Sequence, residues 1–122
     1  MAIIPSEHIE CKMFWKWAQN NEILKNYLMK NCNEGIRPVH YVSMLLSIGM
    51  RPGVPDYQLP ISNGVYGGLW IEMKKRSEVN RKKRDNQVEW MEKLNNAGHL
   101  AVFAYGWEHA AKICESYISN IK

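Results

Sequence analysis

The chain has 122 residues, 46% of them hydrophobic and 23% charged, with a net charge of +4. That length suits a single domain over residues 1–122 able to bury its own core, and is too short to divide into two. No apolar run approaches the ~20 residues that cross a bilayer, and "MAIIPSEH" has neither the basic flank nor the long apolar centre of a signal peptide, so a soluble, intracellular protein is expected.

Ser6 is placed to cap a helix, with Glu7 in its first turn and Ile9, Met13, Phe14 and Trp17 at near-helical spacing. The first element is therefore a helix over 7–19. The segment "NEILKNYLMKNCNEG" reads two ways: Ile23, Leu24, Tyr27 and Leu28 fit a helix, while "YLM" fits a short buried strand. Periodicity does not choose between them. From Pro38, "PVHYVSMLLSIG" has proline at a helix start, Val42, Leu45 and Leu46 on one face, and Gly49 as a stop, which predicts a second helix. "GVPDYQLP" and "GGLWIEMK" flank a connection containing Ser62, Asn63 and Gly64, so they read as an antiparallel hairpin.

Next comes "KKRSEVNRKKR", 74–84, whose seven basic residues and one acid give +6 and leave −2 for the rest of the chain. Basic charge concentrated in one place points to a polyanion, most often nucleic acid, although a solvated loop has the same composition. Asp85 or Asn86 can then cap a helix with Val88, Met91 and Leu94 on one side and Gly98 at its end. "HLAVFAY" is a short apolar strand, and Trp107 to Ile121 repeats Ala110, Ala111, Cys114, Tyr117, Ile118 and Ile121 as a final amphipathic helix. The order predicts an α/β fold: a mixed central sheet with an antiparallel hairpin and a parallel strand after a helical crossover, flanked by helices.

Within this frame three charged residues stand where strands normally exclude charge. Residues two apart on a strand share a face, so Glu72 and Lys74 are neighbours while Met73 points into packing. Antiparallel pairing brings Asp56, at the start of one strand, to the end of its partner that carries Glu72. Two carboxylates so placed offer hard oxygen donors suited to Mg²⁺ or Mn²⁺, with Lys74 beside them to act on water or on phosphate charge. A Glu-x-Lys or a Pro-Asp alone is commonplace and usually marks a solvated strand end. The joint context of apolar flanks, an intervening hairpin and a basic run beginning at Lys74 favours a site.

These residues resemble the restriction-endonuclease-like PD-(D/E)xK nucleases, and more closely the virus-type replication-repair nuclease (VRR-NUC) family in its stand-alone phage and bacterial form. The likeness runs from "SEHIECKMFWKWA" through "GVPD", "GGLWIEMK" and "NQVEWMEKLNNAGH" to "GWEHAAKI", nearly the whole chain. It implies that Asp56 and Glu72 bind the catalytic metal with the backbone carbonyl of Met73, and that Lys74 acts on the attacking water. Gln87 would help organise the site, and Glu7 would add an acidic or water-mediated metal contact. The resemblance also implies a strand at "YLM", and a metal-dependent endonuclease acting as a homodimer on branched DNA such as Holliday junctions, in the cytoplasm of a bacterium or phage-infected cell. Lys75, Arg76, Arg81, Lys82, Lys83 and Arg84 would grip the DNA backbone with salt-sensitive, largely sequence-independent affinity. Two departures stand out: Cys11 occupies a position often held by Gln, and the stretch before Gln87 is unusually basic.

Other chemistries find less support. His8, His40, His99 and His109 lack ligand spacing, Ser62 and Ser77 lack a hydrolase context, and Cys11, Cys32 and Cys114 are odd in number and far apart, as free thiols would be. Trp15, Trp17, Trp90 and Trp107 sit on or beside amphipathic faces, where core or dimer contacts are commoner than base-stacking platforms. The competing class is a non-catalytic nucleic-acid-binding module or a structural subunit of a phage replication complex, since one fold hosts both.

Overall fold

The structure, a computed structural model, describes residues 3–31 and 39–121. Helix α1 spans Glu7–Ala18, and the Ser6 hydroxyl accepts the Ile9 amide at 3.2 Å, satisfying one of the free donors of its first turn. Its buried face is Glu10, Phe14 and Ala18, whereas Ile9 and Met13 stay exposed. The undecided segment contains both elements in succession: α2, Glu22–Tyr27, capped by the Asn21 side chain, then the short strand β1, Met29–Lys30. Helix α3 covers Val39–Ser47, with Gly49 beyond it at φ 112°. The Pro38 expected at its start, like Cys32, lies outside the described residues. Val42 and Leu45 are partly buried, but Leu46, expected on the same face, is 45% exposed.

Strands β2, Tyr57–Leu59, and β3, Leu69–Lys74, pair antiparallel with Tyr57 opposite Ile71 and Leu59 opposite Leu69. Their connection is wider than a tight turn. Asn63 organises it, accepting the amides of Val65 and Tyr66 and donating to the Tyr117 carbonyl. Helix α4, Asp85–Asn96, then carries the chain across to β4, Leu100–Tyr105, which lies parallel to β3 with Glu72 opposite Phe103. Helix α5, Trp107–Ile118, follows. The sheet order is β1-β2-β3-β4. The predicted hairpin, helical crossover and parallel strand are all present.

Alternation along β3 divides the interior. Leu69, Ile71 and Met73 join Phe14, Leu24, Ala110, Cys114 and Tyr117 in a core between the sheet and α1 and α5. Trp70 faces the other way, toward Met91 and Leu94 of α4 and Ala101 of β4. Helix α4 buries Met91 and Leu94 as expected but departs at its start and at Val88. Its N-cap is Arg84, with no side-chain cap from Asp85 or Asn86, and its buried stripe is Gln87, Met91 and Leu94. Val88 is 37% exposed. The helix is turned so that a polar residue, not an apolar one, reaches the sheet at its first turn. Among the described residues no helix is long and apolar enough to cross a membrane.

Candidate active site

The approach to β2 is fixed before Asp56 is reached. Gly53 has φ 86°, and a Cβ there would lie 2.7 Å from the backbone carbon of Asn86, so only glycine lets this loop pack against α4. The Trp90 indole donates to the Pro52 carbonyl at 3.1 Å, and Asn31 bonds the carbonyls of Pro55 and Asp56 from the opposite side. Asp56, held between them, directs its Oδ2 at the Met73 amide, 2.8 Å away. Its Oδ1 lies 3.5 Å from the Lys30 Nζ.

Glu72 and Lys74 project from the same face of β3, as the two-residue spacing requires, and both are buried. The Lys74 Nζ is 3.8 Å from Glu72 Oε2, and Gln87 reaches from α4 to donate to that same oxygen at 3.3 Å. Among the described residues Glu72 Oε1 is buried with no hydrogen-bond donor in reach, and Gln87 Oε1 likewise. Burial, then the charge of Asp56, pushes the Glu72 carboxyl up to about 9; Lys74 opposes the rise, while a hydrogen bond with Asp56 and the nearby Glu7 add to it. Glu7 looks into the same site from α1. Its carboxyl is also raised, first by burial, against the pull of Lys74 and with the push of Glu78 and Asp56. Sequence reasoning named Asp56, Glu72, Lys74, Gln87 and Glu7, and the fold brings all five together.

The donor set suits a hard divalent cation. Two carboxylates crowd at one strand end, one with an unpartnered buried oxygen and a proton it would surrender only near pH 9. Mg²⁺ needs few protein ligands, because it keeps several waters and commonly takes one or two carboxylates. Among the described residues no three side chains of His, Cys, Asp or Glu are gathered closely enough to cage an ion by themselves. Asp56 and Glu72 are the two carboxylates that stand together at the strand end, with Glu7 nearby on α1.

The basic stretch divides into two kinds of residue. Arg76 is committed to the fold: its Nε and Nη2 donate to Glu10 at 2.9 and 3.0 Å, and Nη2 also donates to Glu108 at 3.0 Å. Lys83 donates to the carbonyls of Glu78 and Arg81 and lies over the Tyr105 ring, 4.9 Å from its centroid. Both charges thus have protein partners and take part in holding the fold. Arg81, Lys82 and Arg84 are exposed and Lys75 is partly so, with Lys82 4.0 Å from Asp85.

Sequence reasoning passed over Glu10, Lys30 and Tyr57. Glu10 is fully buried and also accepts the Trp107 amide at 3.2 Å, tying α1, α5 and the segment after β3 together. Nothing local marks it, since its partner Arg76 is remote in sequence. Lys30 could have been suspected from the strand reading of "YLM", which places it on the edge beside Asp56. Cys11, the departure from the family pattern, accepts the Tyr57 hydroxyl through its carbonyl at 3.4 Å, and burial pushes its thiol up to about 11.

The arrangement is a mixed sheet with carboxylates and a lysine at the end of a hairpin. A solved structure described as a "VRR_NUC domain protein" shares it with a TM-score of 0.80 and 24% sequence identity, over 97% of this chain and 92% of that one. The chain thus has the VRR-NUC fold. No protein-family model and no curated protein matches it.

Proposed function

We propose that this chain is a divalent-metal-dependent DNA endonuclease of the VRR-NUC family that hydrolyses phosphodiester bonds. The observation that carries the reading is the buried convergence of Asp56, Glu72, Lys74 and Gln87, with an unpartnered oxygen on Glu72. Asp56, Glu72 and the Met73 carbonyl would hold Mg²⁺ or Mn²⁺, which when bound polarises the scissile phosphate and lowers the pKa of the attacking water. Lys74 orients that water and offsets negative charge growing on phosphorus-bound oxygens. Gln87 keeps the Glu72 carboxylate facing the site, and the Met73 amide does the same for Asp56. Glu7 contributes through water. Lys75, Arg81, Lys82 and Arg84 would contact backbone phosphates.

One such site cuts one strand, so cleavage of a branched substrate such as a Holliday junction calls for two, and we take the working unit to be a homodimer. The apolar side chains that α3 leaves exposed, Tyr41, Met44 and Leu46, are consistent with pairing.

A labelled four-way junction incubated with Mg²⁺ or with EDTA tests the reading. Wild type should cut with metal only, Glu72→Ala should bind without cutting, and Lys74→Ala should lose roughly 10²–10³-fold in rate, as for removal of one charge-stabilising donor. Metal-independent cutting, or undiminished cutting by both variants, would refute the site. Junction binding by wild type without any cutting would instead identify a binding module.

A further inference from the structure

A cleft of about 400 Å³ opens beside the carboxylates, along α1. Glu7, Cys11 and Trp15 follow one another at four-residue steps and so form one stripe of that helix, leading about 12 Å from the site at 1.5 Å per residue. Trp15 is 40% exposed, unlike a core tryptophan, and forms one wall. Tyr57 closes the other, its hydroxyl bonded to the Cys11 carbonyl and the Lys30 ammonium 5.8 Å from its ring centroid. Lys12, Lys16 and Lys30 stand around the mouth, and none of the described residues lining it is acidic. Lys30 links the two places directly, because it also faces Asp56 at 3.5 Å.

A flat aromatic wall ringed by cations matches one chemistry closely: a nucleobase carried on a phosphodiester chain. Stacking on an aromatic side chain accepts any base, and lysines neutralise the phosphates on either side of it. A base within a duplex cannot offer its face in this way, since its neighbours cover it. We propose that this cleft receives the base of a nucleotide that has left the duplex stack beside the scissile phosphate, as it can at a branch point, gap or flap, and that the base stacks on Trp15. The proposal rests on the nuclease reading and narrows it. An acidic peptide would satisfy the lysines but leave the aromatic wall without a planar partner.

Binding measured in EDTA, where no cleavage occurs, tests the proposal. Fluorescence anisotropy would compare a continuous duplex with the same duplex carrying a short unpaired gap or flap. The wild type should prefer the gapped or flapped DNA. Trp15→Ala should lower affinity for that DNA roughly tenfold, within the span seen for loss of a stacking partner, and leave duplex affinity unchanged. Trp15→Phe should restore most of the preference, and an abasic residue in the gap should reproduce the Trp15→Ala loss with wild-type protein. Equal affinities of Trp15→Ala and wild type for gapped DNA, or equal losses on both DNAs, would overturn the proposal. So would conversion of a dimer to a monomer by Trp15→Ala in a solution mass measurement, which would assign this face to a second copy of the chain. Junction cleavage with Mg²⁺ is a separate readout, so failure of the cleft leaves the nuclease reading standing, and absence of cleavage strikes that reading alone.

Discussion

Replacing Glu72 by Gln removes the ionisable carboxyl that this fold buries beside another carboxylate while keeping the shape of the side chain. Burial and the neighbouring Asp56 push the Glu72 carboxyl up to about 9, from an ordinary 4.5. At pH 7 the folded protein therefore holds a proton that the unfolded chain has released. A raised folded value means that this contribution to stability is fully present below about 4.5 and is lost as pH climbs toward about 9. Each pH unit in that window corresponds to about 1.36 kcal/mol, so at pH 7 the loss is on the order of 3 kcal/mol. Gln cannot ionise in either state, and its amide can still accept from Gln87. In EDTA, Glu72→Gln should melt roughly 10 °C above wild type at pH 7, the gap widening toward pH 8 and closing at pH 4.5. Circular dichroism melts across that range measure it. Adding Mg²⁺ should raise the wild-type melting temperature at pH 8 and leave the variant nearly unmoved. A difference between the proteins that does not vary with pH would show that the two carboxylates are not crowded, and the physical case for a cation between them would fall.

Glu10 should show the opposite slope. Burial raises its carboxyl, but the Arg76 hydrogen bonds and the Trp107 amide outweigh burial and leave it lowered, so its contribution is present above about 4.5 and lost as pH falls through the folded value. Denaturant titrations from pH 3 to 6 should find Glu10→Gln on the order of 2 kcal/mol less stable at pH 6, with a flatter acid limb. Gly53→Ala should cost more than about 1 kcal/mol, because alanine is strained at positive φ and would strike Asn86; it should also lower cleavage by moving Asp56, read by urea unfolding beside a junction assay. Arg81→Ala and Lys82→Ala should each reduce the salt slope of DNA binding by about one, whereas Arg76→Ala should leave that slope unchanged because its guanidinium already faces Glu10 and Glu108.

What the sequence made legible is what short-range geometry dictates. Glu72 and Lys74 share a face because the pleat repeats every two residues, and Asp56 meets them because antiparallel pairing brings a strand start to its partner's end. Gln87 and Glu7 came by likeness to a family, and the fold then placed both at the site. The apolar residues of α4 put Met91 and Leu94 on the buried face, but at the first turn the buried position belongs to Gln87 and not Val88, and the glutamine's reason for being there is a carboxylate on another element. The basic stretch shows the same limit. Nothing in "KKRSEVNRKKR" distinguishes Arg76, which is tied to Glu10, from Arg81, which is exposed. Separating them requires knowing which charges are buried elsewhere, and that is decided by tertiary packing.

Two glutamates on one chain illustrate how the fold distinguishes structure from function. Glu10 is buried and fully matched, with two hydrogen bonds from Arg76 and one from the Trp107 amide, and its carboxyl is held below the ordinary range. Such a group has nothing left to bind, and its role is to fasten α1 to the start of α5. Glu72 is nearly as buried, yet its cation stands 3.8 Å away, one oxygen has no hydrogen-bond donor among the described residues, and a second carboxylate crowds it. Selection for stability alone would favour the first arrangement everywhere, because an undermatched buried carboxylate costs free energy whether it stays charged or takes a proton. The same chain builds a well-matched site only a short distance along α1, so the protein's capacity to pair a buried acid is not in question. The deficit at Glu72 is local: among the described residues its carboxyl is left undermatched where Lys74, Gln87 and Asp56 converge, and the divalent cation proposed above is a group that would offset it.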